Sequence, residues 1–369
     1  MSAPPVRAWA PAPAPAQRKP ARDPWFDNAK YALVTLVVIG HMWTLLTDAG
    51  AKVWLYDFLY YWHVPAFVIV TGYLSRNFDY THERLRALFR TVVVPYMLFE
   101  LVLALFRVYV GHEDINDIWA DPHWPMWYLA ALFFWRLLTP PFRRLSYAAV
   151  PLAVVVSLVA GIRATDWLDL ARVLGLLPFF VIGISLRKEH FEVLHRRWVR
   201  VAGVVTLALI FAGARFTDAW INTEWLYYRA RYDELEPHDL QAILIRLALI
   251  VIGTLGAFAF LSLVPPRHTW YTRLGGATLV VYLFHGFVVK SMLYAGLTFG
   301  GHENLGLLVL TTVAVGLSAF LSWPSVARVL TKAVDPIGGI ISYRRRRGLP
   351  PPGDVLPHEV EAPTKEPAP

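Results

Sequence analysis

Two polar side chains eleven residues apart, Lys30 and His41, are the first indication of chemistry in this sequence. The residues between them are almost all apolar, and an α-helix turns 100° per residue, so eleven steps end only about 20° beyond three full turns. Lys30 and His41 therefore share one helix face, with roughly 16 Å of rise between them. A cation and an imidazole on one face of a membrane-spanning helix are costly unless something uses them.

Three more ionisable side chains, His63, Glu100 and His285, fall inside apolar segments. Counted from the ends of the predicted helices at 1.5 Å per residue, they lie within roughly 10 Å of the level of His41. A single membrane histidine is often only a hydrogen-bond partner between helices. Four groups at one depth instead indicate a cavity or a pathway. Four other basic side chains lie nearer segment ends, where we expect them to snorkel to the interface: Arg107, Arg172, Arg246 and Lys290.

The composition predicts the kind of protein that must position these groups. Of the 369 residues 56% are hydrophobic and only 17% are charged, whereas soluble domains carry about 25% charged residues. The predicted fold class is therefore an all-α, polytopic membrane protein. The absence of cysteine excludes disulfides, thiolate metal sites and a cysteine nucleophile. No zinc-protease motif and no phosphate-binding glycine loop is present, so we predict no metal site and no ATP-driven pump.

Hydropathy predicts about ten transmembrane helices in a membrane domain over residues 25–345. Residues 1–24 and 346–369 are rich in proline, and we predict that both are disordered tails. The ten predicted spans are 29–47, 54–74, 91–110, 125–139, 146–162, 168–186, 198–216, 242–264, 274–297 and 304–330.

Loop charges predict the orientation of these spans. With a cytoplasmic N-terminus, the inner loops hold thirteen basic residues and the outer loops four, as the positive-inside rule requires. The run Arg344–Arg347 falls inside as well, while outer loops carry acidic residues such as Asp114, Asp117, Asp121 and Glu236. We therefore expect both termini in the cytoplasm, a multi-pass protein of the plasma membrane, and no nucleic-acid partner despite the net charge of +8.

Two local clusters are candidate binding elements. Arg84, Arg86 and Arg90 precede the third span; they either serve topology alone or bind phosphate, to which guanidinium groups donate paired hydrogen bonds. Trp127 and Tyr128 belong to the segment Trp124–Leu129 at the outer face of the fourth span; they form either part of an interfacial aromatic belt or a stacking platform for a sugar.

Four segments, in order along the chain, resemble motifs of the integral-membrane acyltransferase 3 family, closest to its fucose 4-O-acetylase-like branch. The resemblance covers nearly all of the chain from residue 22 to about 330. The similar segments are Arg22–Lys30 followed by ten residues and His41, Trp62–Phe67 with Thr71–Leu74, Trp127–Leu129, and Val281–His285.

The resemblance implies transfer of an acyl group, usually acetyl, from acyl-CoA to a hydroxyl group of a carbohydrate. Acyl-CoA is then a co-substrate, with no bound cofactor, and the partners are a carbohydrate acceptor and the lipid bilayer. The anionic coenzyme A would be held at the cytoplasmic side by Lys30, Arg84, Arg86 and Arg90, and its long arm would lie along the first span. The carbohydrate would stack on Trp127 and Tyr128.

A sugar hydroxyl needs a positioned base, most often histidine, and we predict that His41 is this base. Glu100 would orient the imidazole, and His63 or His285 would polarise the thioester carbonyl or bind the acceptor. A covalent acyl-histidine route stays open. The alternative function is a transporter of a glycan or glycolipid that uses the same polar groups as a pathway, without acyl-transfer chemistry.

Overall fold

The computed structural model describes residues 23–47, 50–114, 121–163, 165, 167–235, 239–297, 299 and 301–339. Over these residues the protein is helical and contains no strand, which confirms the predicted all-α class. A π-helical turn at Phe89–Val93 joins the third and fourth α-helices. The α-helices are α1 Pro24–Trp43, α2 Ala51–Ser75, α3 His82–Leu88, α4 Val94–Tyr109, α5 Trp127–Arg144, α6 Ala149–Arg163, α7 Leu170–Gly175, α8 Leu177–Ser185, α9 Lys188–Leu194, α10 Arg197–Gly213, α11 Asp239–Leu263, α12 Thr278–Tyr294, α13 Glu303–Ser322 and α14 Pro324–Val334.

Seven helical segments among the described residues are long and apolar enough to cross a membrane, so this is a multi-pass membrane protein. The pair Trp167–Gly175 and Leu177–Ser185, bent by 56°, makes an eighth if it counts as one span. Helices α1 and α5 stand at the first and fourth predicted spans but are not among the seven, so the count of ten stays a prediction. The seven are Ala51–Ser75, His82–Tyr109, Ser146–Arg163, Arg197–Ala219, Leu240–Leu263, Thr272–Tyr294 and Glu303–Ser322.

The orientation of the termini also stays a prediction. Several residues that entered the sequence argument lie outside the described residues. These are residues 1–22 of the N-terminal tail, the C-terminal tail 346–369, the run Arg344–Arg347, and the acidic residues Asp117 and Glu236.

The beginning of α1 is capped locally and anchored to a distant loop. Asp23 accepts the backbone N–H of Trp25 at 3.0 Å and Pro24 occupies the first turn, both typical of helix N-termini. One turn later the buried Asn28 donates to the carbonyls of Pro265 and Arg267, at 2.9 Å each. This amide ties α1 to the connection between α11 and α12.

Helices α2 and α8 cross at two glycines. A Cβ atom on Gly72 would lie 2.2 Å from the carbonyl oxygen of Phe180, and one on Gly183 would lie 2.2 Å from that of Ile69. Small residues allow this close approach, by which membrane helices associate without a hydrophobic driving force. The crossing also determines the position of Thr71, the neighbour of Gly72.

Outside the spans, Glu113 joins the end of α4 to the end of α12. Its carboxylate accepts hydrogen bonds from Arg107 at 2.6 Å, Tyr294 at 2.6 Å and Lys290 at 3.0 Å. Desolvation raises the pKa of Glu113, but the hydrogen bonds from Tyr294, Lys290 and Arg107 outweigh it and lower the pKa to about 2. Arg107 and Lys290, which we expected to snorkel, therefore bind a carboxylate of the protein.

We predict that Gly183→Ala destabilises the helix bundle. The added methyl group has no space at the crossing, and forcing an extra methyl into a packed contact costs roughly 1–3 kcal/mol. Thermal unfolding in detergent should show a lower midpoint. The matched control is Gly316→Ala in α13, where a Cβ atom meets nothing within 4 Å. Equal midpoints for the two variants would contradict the glycine crossing.

We predict that Glu113→Gln lowers the unfolding temperature at neutral pH and that this difference shrinks in acid. A carboxyl group whose pKa is lowered in the folded state stabilises it above the unfolded pKa of about 4.3. That stability is lost as the pH falls towards about 2. The measurement is the difference in unfolding midpoint between the two proteins from pH 7 to pH 3. A difference that is constant over this range would show that the ion cluster is not its source.

Candidate active site

A hydrogen bond joins two of the predicted site residues, His41 on α1 and His285 on α12. The distance from His41 Nδ1 to His285 Nε2 is 2.7 Å. On its other side, His285 Nδ1 lies 3.0 Å from the carbonyl oxygen of Val281, one turn earlier. A carbonyl only accepts, so His285 Nδ1 carries a hydrogen and its Nε2 accepts the hydrogen of His41 Nδ1. Nε2 of His41 is left with its lone pair, as a general base requires.

The two imidazoles are buried beside an aromatic side chain. His41 is 8% exposed and His285 is fully buried. Their rings stack with centroids 5.0 Å apart, and the Trp124 ring lies 4.3 Å from that of His41. Trp124 therefore lies against the candidate base, whereas we expected its segment to belong to the outer face of the fourth span.

His41 lines a cavity of about 290 Å³, which we name the His41 cavity. His63 lines it from α2, and Trp127 and Arg172 line it from α5 and α7. The ring of His63 is held by its own helix, since Nδ1 lies 2.7 Å from the carbonyl of Leu59 and must donate to it. The remaining Nε2 of His63 is thus an acceptor.

A second cavity, of about 260 Å³, lies towards the other ends of α1 and α2; we name it the Lys30 cavity. Lys30 and Ser75 line it together with Arg136 of α5, and most of the remaining wall is apolar. Lys30 forms an ion pair with Asp27 at 2.8 Å. No carboxylate of the described residues pairs with Arg136. Arg136 was not among the residues predicted from the sequence, although a basic residue within an apolar segment was an available signal.

Three aromatic side chains line both cavities and separate them: Phe67, Tyr128 and Tyr282. We call this group the septum. The Tyr128 ring lies 5.1 Å from that of Phe67 and 5.7 Å from that of Tyr282. Tyr128 shares a short hydrogen bond with Thr71, and Tyr282 donates one to the carbonyl of Pro125. Tyr128 is therefore a dividing residue inside the protein, while its neighbour Trp127 lines the His41 cavity and not the Lys30 cavity.

Glu100 does not contact His41. Its carboxylate accepts the backbone N–H of His123 at 2.6 Å and a short hydrogen bond from the ring of the same residue. Glu100 is fully buried and His123 nearly so. The expected orienting role of Glu100 is wrong for this geometry, because the helix face of α4 that carries it is directed at the segment before α5. His123 was not singled out in the sequence because it lies outside the predicted spans.

The arginine cluster before α4 does not line either cavity. Arg84 and Arg86 are exposed on α3, and Arg90 is half-buried with its guanidinium 3.7 Å from Asp335. The snorkelling expectation also fails for Arg246, which is 1% exposed. Its guanidinium lies 4.7 Å from the centre of the Tyr228 ring inside an aromatic enclosure.

Among the described residues no group of three or more His, Cys, Asp or Glu side chains is arranged to hold a metal ion. The neutral imidazole of His41, with one free ring nitrogen, faces the His41 cavity. The septum separates this cavity from the Lys30 cavity, which is lined by the cations Lys30 and Arg136.

Comparison with known proteins concerns the chain as a whole. A family profile described as an acyltransferase domain matches residues 23–324. The nodulation protein NolL of Mesorhizobium japonicum is 43% identical over 58 residues, which are 15% of this chain and 16% of that protein. The chain thus matches less than a fifth of its relative's length. No solved structure matches it.

Proposed function

The chain belongs to the acyltransferase 3 family of membrane proteins, and from that premise we propose that it transfers an acyl group, most simply acetyl, from acyl-CoA to a hydroxyl group of a carbohydrate. That it is an O-acyltransferase follows from the family; donor, acceptor and residue roles are the proposal. The observation that carries it is the hydrogen-bonded His41–His285 pair, which presents a free imidazole nitrogen to a cavity.

The proposed reaction begins at Nε2 of His41. This nitrogen takes the proton of the acceptor hydroxyl while the oxygen attacks the carbonyl carbon of the thioester. The tetrahedral intermediate then collapses, the carbon–sulfur bond breaks, and the sulfur leaves with the proton that His41 returns. A positioned base of this kind contributes roughly 10²–10⁴-fold to the rate.

His285 acts through His41. Both of its ring nitrogens are engaged, one by Val281 and one by His41, so it has no free atom for a substrate. When His41 is protonated, its Nδ1–H still donates to His285, which stabilises the imidazolium and keeps the ring oriented. We therefore propose His285 as a positioning residue rather than a group that polarises the thioester.

His63 is suited to bind a hydroxyl group of the acceptor. Because its Nδ1 donates to Leu59, the neutral ring offers only a lone pair to the cavity and accepts a hydrogen bond from a hydroxyl group. It has no N–H left to donate to a thioester oxygen. Of its two expected roles, acceptor binding is the one that this geometry supports.

The Lys30 cavity is the proposed donor site. Coenzyme A carries phosphates, and Lys30 and Arg136 supply cations in a wall that is otherwise mostly apolar, as the pantetheine arm requires. The arm would lie along α1 from Lys30 towards His41, with the thioester reaching the His41 cavity past the septum. Arg84, Arg86 and Arg90 lie outside this cavity, where they attract the anionic coenzyme A electrostatically.

The family favours this enzyme over a transporter without acyl-transfer chemistry. With its spans and its proposed cytosolic donor, we place the protein in the plasma membrane, with its donor cavity towards the cytoplasm. Release of free thiol from acetyl-CoA in the presence of a sugar acceptor tests the function directly. The absence of thiol release with every acceptor would contradict it.

We predict that His41→Ala abolishes thiol release and that His285→Gln lowers kcat by about 10–10³-fold with a smaller change in the KM for either substrate. The first change removes the base, and the second removes only its orientation and charge stabilisation. The control is His82→Ala, an exposed histidine on α3. Wild-type kcat in the His285 variant would refute its positioning role, and retained activity in the His41 variant would refute the base.

We predict that Arg136→Gln raises the KM for acetyl-CoA by at least about tenfold and leaves the KM for the acceptor unchanged. A charge-assisted hydrogen bond to phosphate is worth roughly 1.5–3 kcal/mol, and tenfold corresponds to about 1.4 kcal/mol. Arg84→Gln, on exposed α3, is the matched control and should change this KM little at physiological salt. If the Arg84 variant shows the larger effect, the donor phosphates bind at α3 and not in the Lys30 cavity.

A further inference from the structure

A third cavity, of about 420 Å³, adjoins the His41 cavity at the end opposite to Lys30; we name it the vestibule. Four side chains line both spaces: Trp124, Trp127, Arg172 and Arg229. A molecule in the vestibule therefore shares a wall with the space that His41 faces. Unlike the Lys30 cavity, the vestibule is lined mainly by charged and aromatic groups.

Four of the charged groups of the vestibule form a network around Asp169 and Arg229. Its carboxylate lies 3.1 Å from the guanidinium of Arg172 and 3.9 Å from that of Arg229, and Arg229 also lies 3.7 Å from Asp121. The Asp169 side chain is only 6% exposed. Arg172 in turn lies over the ring of Trp127, 4.6 Å from its centre, so the network reaches the aromatic wall of the His41 cavity.

The backbone at this network is strained. Leu168 and Asp169 have φ angles of 51° and 54°, a left-handed conformation that costs a residue other than glycine of order 1–3 kcal/mol. This pair of residues immediately precedes α7 and directs the Asp169 carboxylate between the two arginines. Such a strained conformation persists only when contacts with the surrounding structure hold it in place.

The network determines which ligands suit the vestibule. The two carboxylates and two guanidinium groups of this network neutralise one another, and the other two charged groups of the wall, Asp114 and Arg107, are also opposite in sign. A ligand with a full charge must therefore break an ion pair of the network to gain a partner in it. A hydroxyl group both donates and accepts, and it fits between a carboxylate oxygen and a guanidinium N–H without disturbing either. The indole of Trp127 adds an apolar surface for the carbon–hydrogen face of a ring.

We propose that the vestibule is the acceptor subsite, that it selects an uncharged polyhydroxylated ring, and that the Asp169–Arg172–Arg229 network determines this selectivity. The proposal rests on the proposed acyl transfer, since it supplies the hydroxyl group that His41 deprotonates. The balance of the ion pairs excludes acceptors of either charge.

The test compares three glycosides of one ring: methyl glucoside, its glucuronide and its 2-amino-2-deoxy analogue. Binding to the full-length protein in nanodiscs is measured by saturation-transfer NMR without acyl-CoA, and transfer is measured as thiol release with acetyl-CoA. The wild type should bind the neutral glycoside at least about tenfold more tightly than either charged one. Binding that does not depend on ligand charge overturns the proposal.

Two variants should shift this preference in opposite directions. Asp169→Asn leaves excess positive charge and should favour the glucuronide by at least about tenfold relative to the wild type. Arg229→Gln leaves excess negative charge and should favour the amine. Arg231→Gln, which removes an exposed cation that pairs with Asp233 at 2.5 Å, should shift neither. Shifts in the same direction in both variants refute the network.

Other outcomes separate the subsite from the reaction. If the binding pattern holds while no glycoside supports thiol release, the proposed function fails and the subsite stands. If transfer occurs with a charge-independent KM, the function stands and the subsite fails. If Asp169→Asn does not fold, the comparison of Arg229→Gln with Arg229→Lys tests the network instead. Arg229→Gln should shift the preference towards the amine. Arg229→Lys keeps the charge and should keep the preference for the neutral ring.

Discussion

The hydrogen bond from His285 Nδ1 to the carbonyl of Val281 determines the chemistry of this site, because a carbonyl can only accept. It leaves His285 Nε2 as an acceptor for His41, and so leaves His41 with a free nitrogen towards the cavity. This assignment requires α12 and α1 to stay within hydrogen-bond distance. Asn28, which joins α1 to the loop before α12, and the close approach of Gly275 to the backbone of Asp27 provide that constraint.

A second set of contacts holds α2 beside the cavity that His41 and His63 line. The crossing of Gly72 with Gly183 brings the backbones of α2 and α8 together, and the residue beside it, Thr71, holds Tyr128. The septum therefore depends on the packing of helix backbones. The hydroxyl groups of Thr71 and Tyr128, which a membrane would otherwise penalise, satisfy each other in this contact.

Spacing along the sequence predicted that His41, His63 and His285 lie at one depth and indicate a cavity, because residue number within a span determines height. It did not predict the direction of each helix face, which depends on packing. Glu100 shows the difference, since it binds His123 although its expected depth was that of His41. The same limit applies to Arg84 and Arg86 on α3 and to Arg90 in the π-helical turn after it, which precede the predicted third span but line neither cavity. It applies also to Arg136 and Arg172, whose positions at cavity walls depend on how α5 and α7 are packed.

The septum has a consequence for the membrane itself. Cavities enter this protein from both ends of α1, so only the thickness of Phe67, Tyr128 and Tyr282 separates two solvent-accessible spaces. An electrical potential across the bilayer falls most steeply where the low-dielectric barrier is thinnest, and here that barrier is one layer of aromatic rings. Under the proposed acyl transfer, these rings would have to block proton and ion leakage while an acyl group passes, a requirement on their packing that channels and enzymes seldom share.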